Sequence, residues 1–86
     1  MLDDNRFAEL VLWQLPTPVP GSTHAFKYRL AFVVNGDCVL RYNNEAGKGD
    51  HKHTGADTET LYQFESPRRL LADFWHDVDL WSAQHE

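Results

Sequence analysis

The feature that most constrains the fold is a stretch of alternating side chains in the middle of the chain. Residues 26–34 read FKYRLAFVV, with the larger apolar residues on one parity. A period of two is typical of a β-strand with one buried face. Asn35-Gly36 follows, and this dipeptide tolerates the positive φ angles of a tight hairpin turn. Residues 26–43 therefore predict an antiparallel β-hairpin.

The returning strand of this hairpin places Cys38, Leu40 and Tyr42 on one parity. A strict two-residue turn would oppose Phe32 to Val39, which is out of phase with those residues. We therefore expect a bulge or an odd-length loop that pairs Phe32 with Leu40 or Cys38. On either register, the basic side chains that share the opposite face are Lys27, Arg29 and Arg41.

The C-terminal part of the chain predicts one long helix. Ser66-Pro67 has the sequence of an N-cap followed by a first-turn proline. Apolar residues then recur every three or four positions, which is the spacing of a single buried stripe. The stripe consists of Leu70, Leu71, Phe74, Val78 and Trp81.

Two further strands complete the predicted sheet. Residues 6–15 include LVLW, which is apolar on both faces in the manner of a largely covered strand, and residues 60–64 predict the last strand. Residues 43–58, rich in glycine, asparagine and acidic residues, predict a long loop. We expect an α+β fold in which residues 1–86 form one domain. An antiparallel sheet of about four strands would carry the long C-terminal helix on one face, leaving the other face open.

The charge of the chain is unevenly distributed. A formal net charge of −5 argues against a simple basic nucleic-acid-binding domain. Residues 24–54, however, carry five basic and three acidic side chains, whereas the remainder carries three basic and ten acidic ones. The sequence therefore predicts a modest cationic patch on an acidic protein.

Several classes of protein are excluded by composition. Cys38 is the one cysteine, so an intramolecular disulfide and a Cys-rich zinc site are excluded. The longest apolar run is far shorter than the roughly 20 residues that cross a bilayer. Because the N-terminus is acidic and lacks the basic start of a signal peptide, we expect a soluble cytoplasmic protein with no membrane partner. We interpret Cys38 as a packed thiol and Trp13 as a core residue.

The segment with the most chemistry is GKGDHKH, residues 47–53. Its glycines do not match a phosphate-binding loop, so no nucleotide cofactor is expected. Two imidazoles can cleave RNA without a metal, since one removes the 2′-hydroxyl proton and the other protonates the leaving oxygen. His51 and His53 are the candidate catalytic pair, with surface histidines or a metal site as the alternatives. The candidate phosphate or substrate ligands are Arg29, Arg41, Lys48, Lys52 and His24.

We expect no cofactor and no tightly bound zinc. Only a histidine pair is visible as a ligand set, and a zinc site needs four ligands. Asp50, His24 and the helical residues Asp73, His76 and Asp77 could supply others, but their positions are not fixed by the sequence.

Several motifs resemble those of the small bacterial TumE-type proteins, the toxin half of TumE/TumA toxin–antitoxin pairs. The resemblance covers residues 6–78, and GKGDHKH after RYNN is its most specific part. It implies a bacterial origin, a cognate TumA-like antitoxin that carries a DNA-binding domain, and a growth-inhibitory target such as RNA or the translation machinery. The motifs are WQLP, PVPGSTH, FKYRL, RYNNE, GKGDHKH and F-x-S-x-x-x-L-L-x-x-F.

Two hypotheses follow. In the first, the chain is a toxin and a metal-independent endoribonuclease that acts on RNA through a histidine loop. In the second, it is a small non-catalytic binding protein that pairs with an antitoxin or another protein. The cationic histidine segment favours the first, and the acidic surface and open sheet favour the second.

Overall fold

A computed structural model of the chain describes residues 5–18, 24–45, 49–55 and 58–84. Within these residues, five strands pair antiparallel in chain order, and one helix follows. The predicted α+β class is confirmed, with one strand more than expected. The elements are β1 (Arg6–Gln14), β2 (Phe26–Val34), β3 (Asp37–Glu45), β4 (Gly49–Thr54), β5 (Thr58–Leu61) and α1 (Pro67–Gln84).

The hairpin of β2 and β3 has the predicted turn and the predicted bulge. Asn35 and Gly36 have φ angles of 52° and 84°, as a two-residue hairpin turn with matching twist requires. Val33 pairs with Cys38 beside the turn, but Phe32 pairs with Leu40, so one extra residue is accommodated between them. Because of the bulge, Leu30 and Phe32 of β2 lie on the same side of the sheet as Leu40 and Tyr42 of β3.

The core lies between one surface of the sheet and α1. We call this surface the helix face and the opposite surface the open face. Each large apolar side chain buried between them contributes about 1.5–3 kcal/mol to stability. The buried core consists of Tyr28, Leu30 and Phe32 from β2, Leu40 and Tyr42 from β3, and Leu70, Phe74 and Val78 from α1.

The helix begins where the sequence predicts. Ser66 Oγ accepts a hydrogen bond of 3.1 Å from the backbone N–H of Arg69, and Ser66 O accepts one of 2.9 Å from Leu70. Pro67 is the first helical residue, where its missing N–H has no intrahelical partner to lose. The N-cap and the buried stripe are both confirmed.

The predicted loop over residues 43–58 is wrong, because it contains the end of β3 and all of β4. β3 continues to Glu45, and Gly49–Thr54 pairs with β3 on one side and with β5 on the other. The sequence of this segment, GDHKHT, has no apolar alternation, so its composition indicates a loop. Pairing on both sides overrides that weak local preference. The last strand, Thr58–Leu61, also begins two residues earlier than predicted.

The prediction that the first strand is largely covered is also wrong. Among the strands that the structure describes, β1 is an edge strand that pairs with β2 alone. Leu10, Leu12 and Trp13 are all exposed, and Trp13 retains 57% of its accessible surface. Leu10 and Leu12 stay exposed at the edge of the helix face, whereas Trp13 pairs with Lys27 on the open face, which α1 does not cover, so Trp13 is not a core residue.

Within the described part of the chain, no helix is both long and apolar enough to span a bilayer.

Candidate functional site

His51 and His53 lie on one surface of β4, the open face. Side chains alternate along a strand, so residues two apart point the same way. The ring centroids are 5.1 Å apart with an edge-to-face angle of 75°. The side chain of His51 is 2% exposed and that of His53 is 25% exposed. Both histidines are therefore held by a strand rather than by a loop, and His53 is the more accessible.

A glutamate to which the sequence alone gave no role lies beside both histidines. Glu59 of β5 pairs directly with His53. Its Oε2 is 3.0 Å from Nε2 of His53 and 3.5 Å from Nε2 of His51. These three residues, which we call the histidine–glutamate cluster, keep their donor atoms within 4.8 Å of one another.

The orientation of His51 is fixed by its backbone contact. Its Nδ1 lies 3.2 Å from the carbonyl oxygen of Gly49. A carbonyl only accepts, so Nδ1 must carry the hydrogen. In the neutral ring, Nε2 then carries the lone pair, on the side that faces Glu59.

The two arginines predicted to share a face do so, and the histidines extend that face. Arg41 of β3 pairs with His53 of β4. Asn43 of β3 pairs with Arg29 of β2 on one side and with His51 of β4 on the other. The Nη1 of Arg29 donates to Glu9 at 2.8 Å in an exposed pair. Within the described residues, the buried Nε of Arg41 meets no hydrogen-bond acceptor. The open face therefore places the Arg41 side chain directly beside His53, with Arg29 one strand farther away.

Two cavities lie along the open face. One, of about 220 Å³, is bordered by the Trp13 ring and by the cations Lys27 and Arg29. The other, of about 140 Å³, includes Arg41 and His53 in its lining. An exposed aromatic ring beside cations is typical of single-strand nucleic-acid binding, because bases stack on rings while cations meet phosphates.

Cys38 also lines the second cavity and is exposed. The interpretation of this residue as a packed thiol is therefore wrong. The bulge pairs Cys38 with Val33, so Cys38 lies on the open face with Arg41 and His53 and not on the helix face with Leu40.

His24 lies on the helix face, so the structure does not bring it together with the histidines and arginines of the open face. Its Nε2 is 2.5 Å from Oδ2 of Asp50, and its ring stacks on Phe64 with a centroid distance of 3.8 Å. The backbone N–H of Phe26 donates to its Nδ1 at 3.2 Å. Nδ1 is therefore an acceptor, and Nε2–H donates to Asp50, so both ring nitrogens are used within the fold.

Lys52 is also on the helix face. It alternates with His51 and His53 along β4, and its Nζ lies 3.2 Å from Oδ2 of Asp77 on α1. Its ammonium group also lies 5.6 Å from the centroid of the Tyr42 ring. Lys52 therefore joins the helix to the sheet, and the structure does not bring it together with His51 and His53 on the open face. The remaining predicted ligand, Lys48, lies outside the described residues.

Three tyrosine hydroxyls and three aspartates face one another between the sheet and the helix. Desolvation by burial and then hydrogen bonds to carboxylates raise the pKa of each tyrosine well above its ordinary value of 10.0. The pairs are Tyr28 with Asp50, Tyr42 with Asp77, and Tyr62 with Asp73.

Asp73 shows the opposite shift. Burial tends to raise the pKa of its carboxyl group, but hydrogen bonds from Tyr62 and Arg69 outweigh burial and lower it. Asp73 and Asp77 are thus bound to the sheet and to Arg69 instead of forming a solvated helix face. The sequence does contain a signal for these contacts, because a tyrosine at a strand position that faces the core needs a hydrogen-bond partner for its hydroxyl group.

Comparison with known proteins identifies the family. The family model described as Toxin TumE matches residues 2–82, which is nearly the whole chain. No curated protein and no solved structure matches it. The resemblance seen in the motifs is confirmed, and the chain belongs to the TumE toxin family.

Proposed function

We propose that this chain is the toxin of a toxin–antitoxin pair and that it cleaves RNA on the open face of its sheet. The observation that carries the proposal is the pairing of His53 with both Arg41 and Glu59 across neighbouring strands. A proton acceptor and a phosphate ligand are thereby adjacent, next to a cavity that solvent enters.

The chemistry that suits these groups is transesterification. The imidazole of His53 accepts the proton of a ribose 2′-hydroxyl, and the 2′-oxygen attacks the neighbouring phosphorus. The bond from phosphorus to the 5′-oxygen breaks, and this oxygen takes a proton from solvent. The products are a 2′,3′-cyclic phosphate and a 5′-hydroxyl. The Arg41 guanidinium stabilises the negative charge that develops on the phosphate oxygens.

The two histidines have unequal roles in this proposal, which differs from a division of acid and base between two exposed imidazoles. His51 is 2% exposed and does not reach a substrate directly. With Glu59 it holds His53 from the side. Arg29, Lys27 and the Trp13 ring extend the substrate path along the open face.

The proposal is tested by induced expression in a bacterial host. The parent chain is expected to arrest growth, and co-expression of its antitoxin is expected to restore it. His53→Ala should abolish the arrest, whereas His76→Ala, which changes an exposed histidine of α1, should arrest growth as the parent does. Equal arrest by His53→Ala at equal protein level would contradict the proposal.

A second candidate is a toxin that binds without catalysis. The exposed apolar side chains of the edge strand β1 favour it, because such an edge accepts a strand from another protein. A TumA-like antitoxin in the same cytoplasm is the partner proposed for this edge. If the variant His51→Ala/His53→Ala folds and still arrests growth, the second candidate stands and the RNA-cleavage proposal fails.

A further inference from the structure

We propose that the histidine–glutamate cluster binds one divalent transition-metal ion, for which zinc is the best fit. The ligands are Nε2 of His51, Nε2 of His53 and a carboxylate oxygen of Glu59. The inference deepens the proposed function, since it names the ion at the reaction centre. Only the catalytic use of the ion rests on that function, while its binding rests on the geometry of the three ligands.

The two distances from Glu59 to the histidines are close to those of a tetrahedral site. With metal–ligand bonds of about 2.0–2.1 Å, adjacent ligands of tetrahedral zinc are separated by about 3.3–3.4 Å. The two distances from Glu59 Oε2 to the histidine Nε2 atoms, 3.0 and 3.5 Å, lie on either side of this range. The three ligand atoms all lie within 4.8 Å of one another, so small side-chain adjustments bring the two histidines together around one ion.

His51 is already oriented as a ligand. Its Nδ1–H donates to the Gly49 carbonyl, which leaves the Nε2 lone pair directed towards the cluster. Metal-binding histidines nearly always have such a partner on the other nitrogen, because it fixes the tautomer and the ring orientation. The contact thus supplies the outer support that a metal site needs.

The three ligands are also held rigidly. Two lie on β4 and the third on β5, directly across the ladder from His53. His51 is almost completely buried. Because the backbone hydrogen bonds of the sheet fix these positions before an ion arrives, little conformational entropy remains to be lost on binding.

The site has room for solvent. A cavity of about 230 Å³ at the β5 edge is lined by His51, Glu59, Thr60 and Leu61. It gives an ion a route to the cluster and leaves space for water as the fourth ligand. Three protein ligands and one water are typical of catalytic zinc, which lowers the pKa of that water to about 7. With the ion bound, the metal-bound hydroxide replaces the His53 imidazole as the base that accepts the 2′-hydroxyl proton.

The expectation of no tightly bound zinc followed from counting two ligands. Glu59 raises the count to three, so the reason for that expectation no longer holds.

Isothermal titration of the chelator-treated chain with zinc chloride tests the inference. We expect one ion per chain. Glu59→Gln and His53→Ala should each weaken binding by at least the roughly 10–100-fold that loss of an outer-shell partner costs in other sites. Cobalt(II) provides a second measurement, since the intensity of its visible absorption bands distinguishes four-coordinate from six-coordinate binding.

The controls are His76→Ala and Glu65→Gln, which remove an exposed histidine and an exposed glutamate away from the cluster. Both should bind zinc as the parent does. The thermal midpoint of every variant is measured without metal, which shows whether the variant folds. Glu59→Gln changes an exposed edge strand, so it still tests the site if substitution of the buried His51 prevents folding. Substoichiometric zinc, or equal affinity in the parent and in Glu59→Gln, would overturn the inference.

RNA cleavage measured on the same samples separates the two proposals. One bound zinc without RNA cleavage would support the metal site and contradict the proposed function. RNA cleavage by a chain that binds no metal would support the proposed function and overturn the metal site.

Discussion

The Nε2 of His53 lies 3.0 Å from Oε2 of Glu59, across the ladder that joins β4 to β5. This contact turns a histidine pair, which is common on protein surfaces, into a three-residue cluster on a rigid sheet. Arg41 adjoins the same histidine from the other side. The proposed RNA cleavage depends on these two cross-strand neighbours of His53.

Removal of the imidazole of His53 should abolish most RNA cleavage. A positioned general acid or base contributes about 10²–10⁴-fold to rate, so His53→Ala should lower the cleavage rate by that factor. The variant should stay folded, because the side chain lies outside the buried core. Cleavage of a fluorogenic RNA measures the rate, with His76→Ala as the matched control. A parental rate in His53→Ala would contradict the assignment.

Arg41→Ala should weaken RNA binding and make it less sensitive to salt. Each phosphate contact with a single strand contributes a slope of about 0.7 in the logarithm of the binding constant against the logarithm of salt concentration. Loss of one contact should reduce the slope by about that amount. Fluorescence anisotropy with a 2′-O-methyl RNA, which is not cleaved, measures both quantities.

The control for Arg41 is Arg68→Ala, which removes an exposed guanidinium on α1. This variant has the same net charge as Arg41→Ala. If both variants lose the same affinity and slope, the effect is one of total charge, and Arg41 is not a specific phosphate ligand.

His24 should matter for stability and not for cleavage. His24→Ala removes one hydrogen bond to the Asp50 carboxylate, which keeps the Tyr28 hydroxyl, and a hydrogen bond to a charged group contributes about 1.5–3 kcal/mol. Urea unfolding should show that loss, while the cleavage rate per folded molecule stays at the parental value. A loss of rate without a loss of stability would return His24 to the active site.

The chain should lose stability in alkaline solution. The folded-state pKa values of Tyr28, Tyr42 and Tyr62 are raised by desolvation and by hydrogen bonds to carboxylates. Folding therefore favours the protonated hydroxyls. This contribution is present below the unfolded pKa of about 10 and is lost as pH rises through the higher folded-state values.

Urea unfolding at a series of pH values from about 8 to 11 measures the effect. The free energy of unfolding should fall above about pH 10 in the parent. Tyr62→Phe removes one of the three groups, so its decline should be shallower. An equally steep decline in this variant would show that Tyr62 does not contribute.

The central hairpin and the helix were predictable because their signals are local. The alternation of residues 26–34, the Asn35-Gly36 turn and the Ser66-Pro67 cap all lie within a few residues of the structure they specify. Even the bulge was predictable, because the large apolar residues of the two strands can face the same side of the sheet only if one strand has an extra residue. These elements also bury most of the core, so local pattern and packing agree.

The site was less predictable because it depends on which strands are neighbours. GDHKHT has the composition of a loop, and only pairing with β3 and β5 makes it a strand. In the observed register, His53 pairs with Glu59, and Lys52, which alternates with His51 and His53, faces the helix. The alternation of histidine and lysine in residues 51–53 indicates which side chains share a face. That information is lost when the segment is predicted as a loop, because side chains in a loop do not alternate between two faces.

RNA cleavage itself is tested with two oligonucleotides of one sequence, one of DNA with a single internal ribonucleotide and one of DNA throughout. They are incubated with the purified, antitoxin-free chain, and the products are identified by mass spectrometry. Attack by a 2′-oxygen predicts cleavage only after the ribonucleotide, with a 2′,3′-cyclic phosphate on one product and a 5′-hydroxyl on the other. Cleavage of neither oligonucleotide, or equal cleavage of both, would contradict the proposed function.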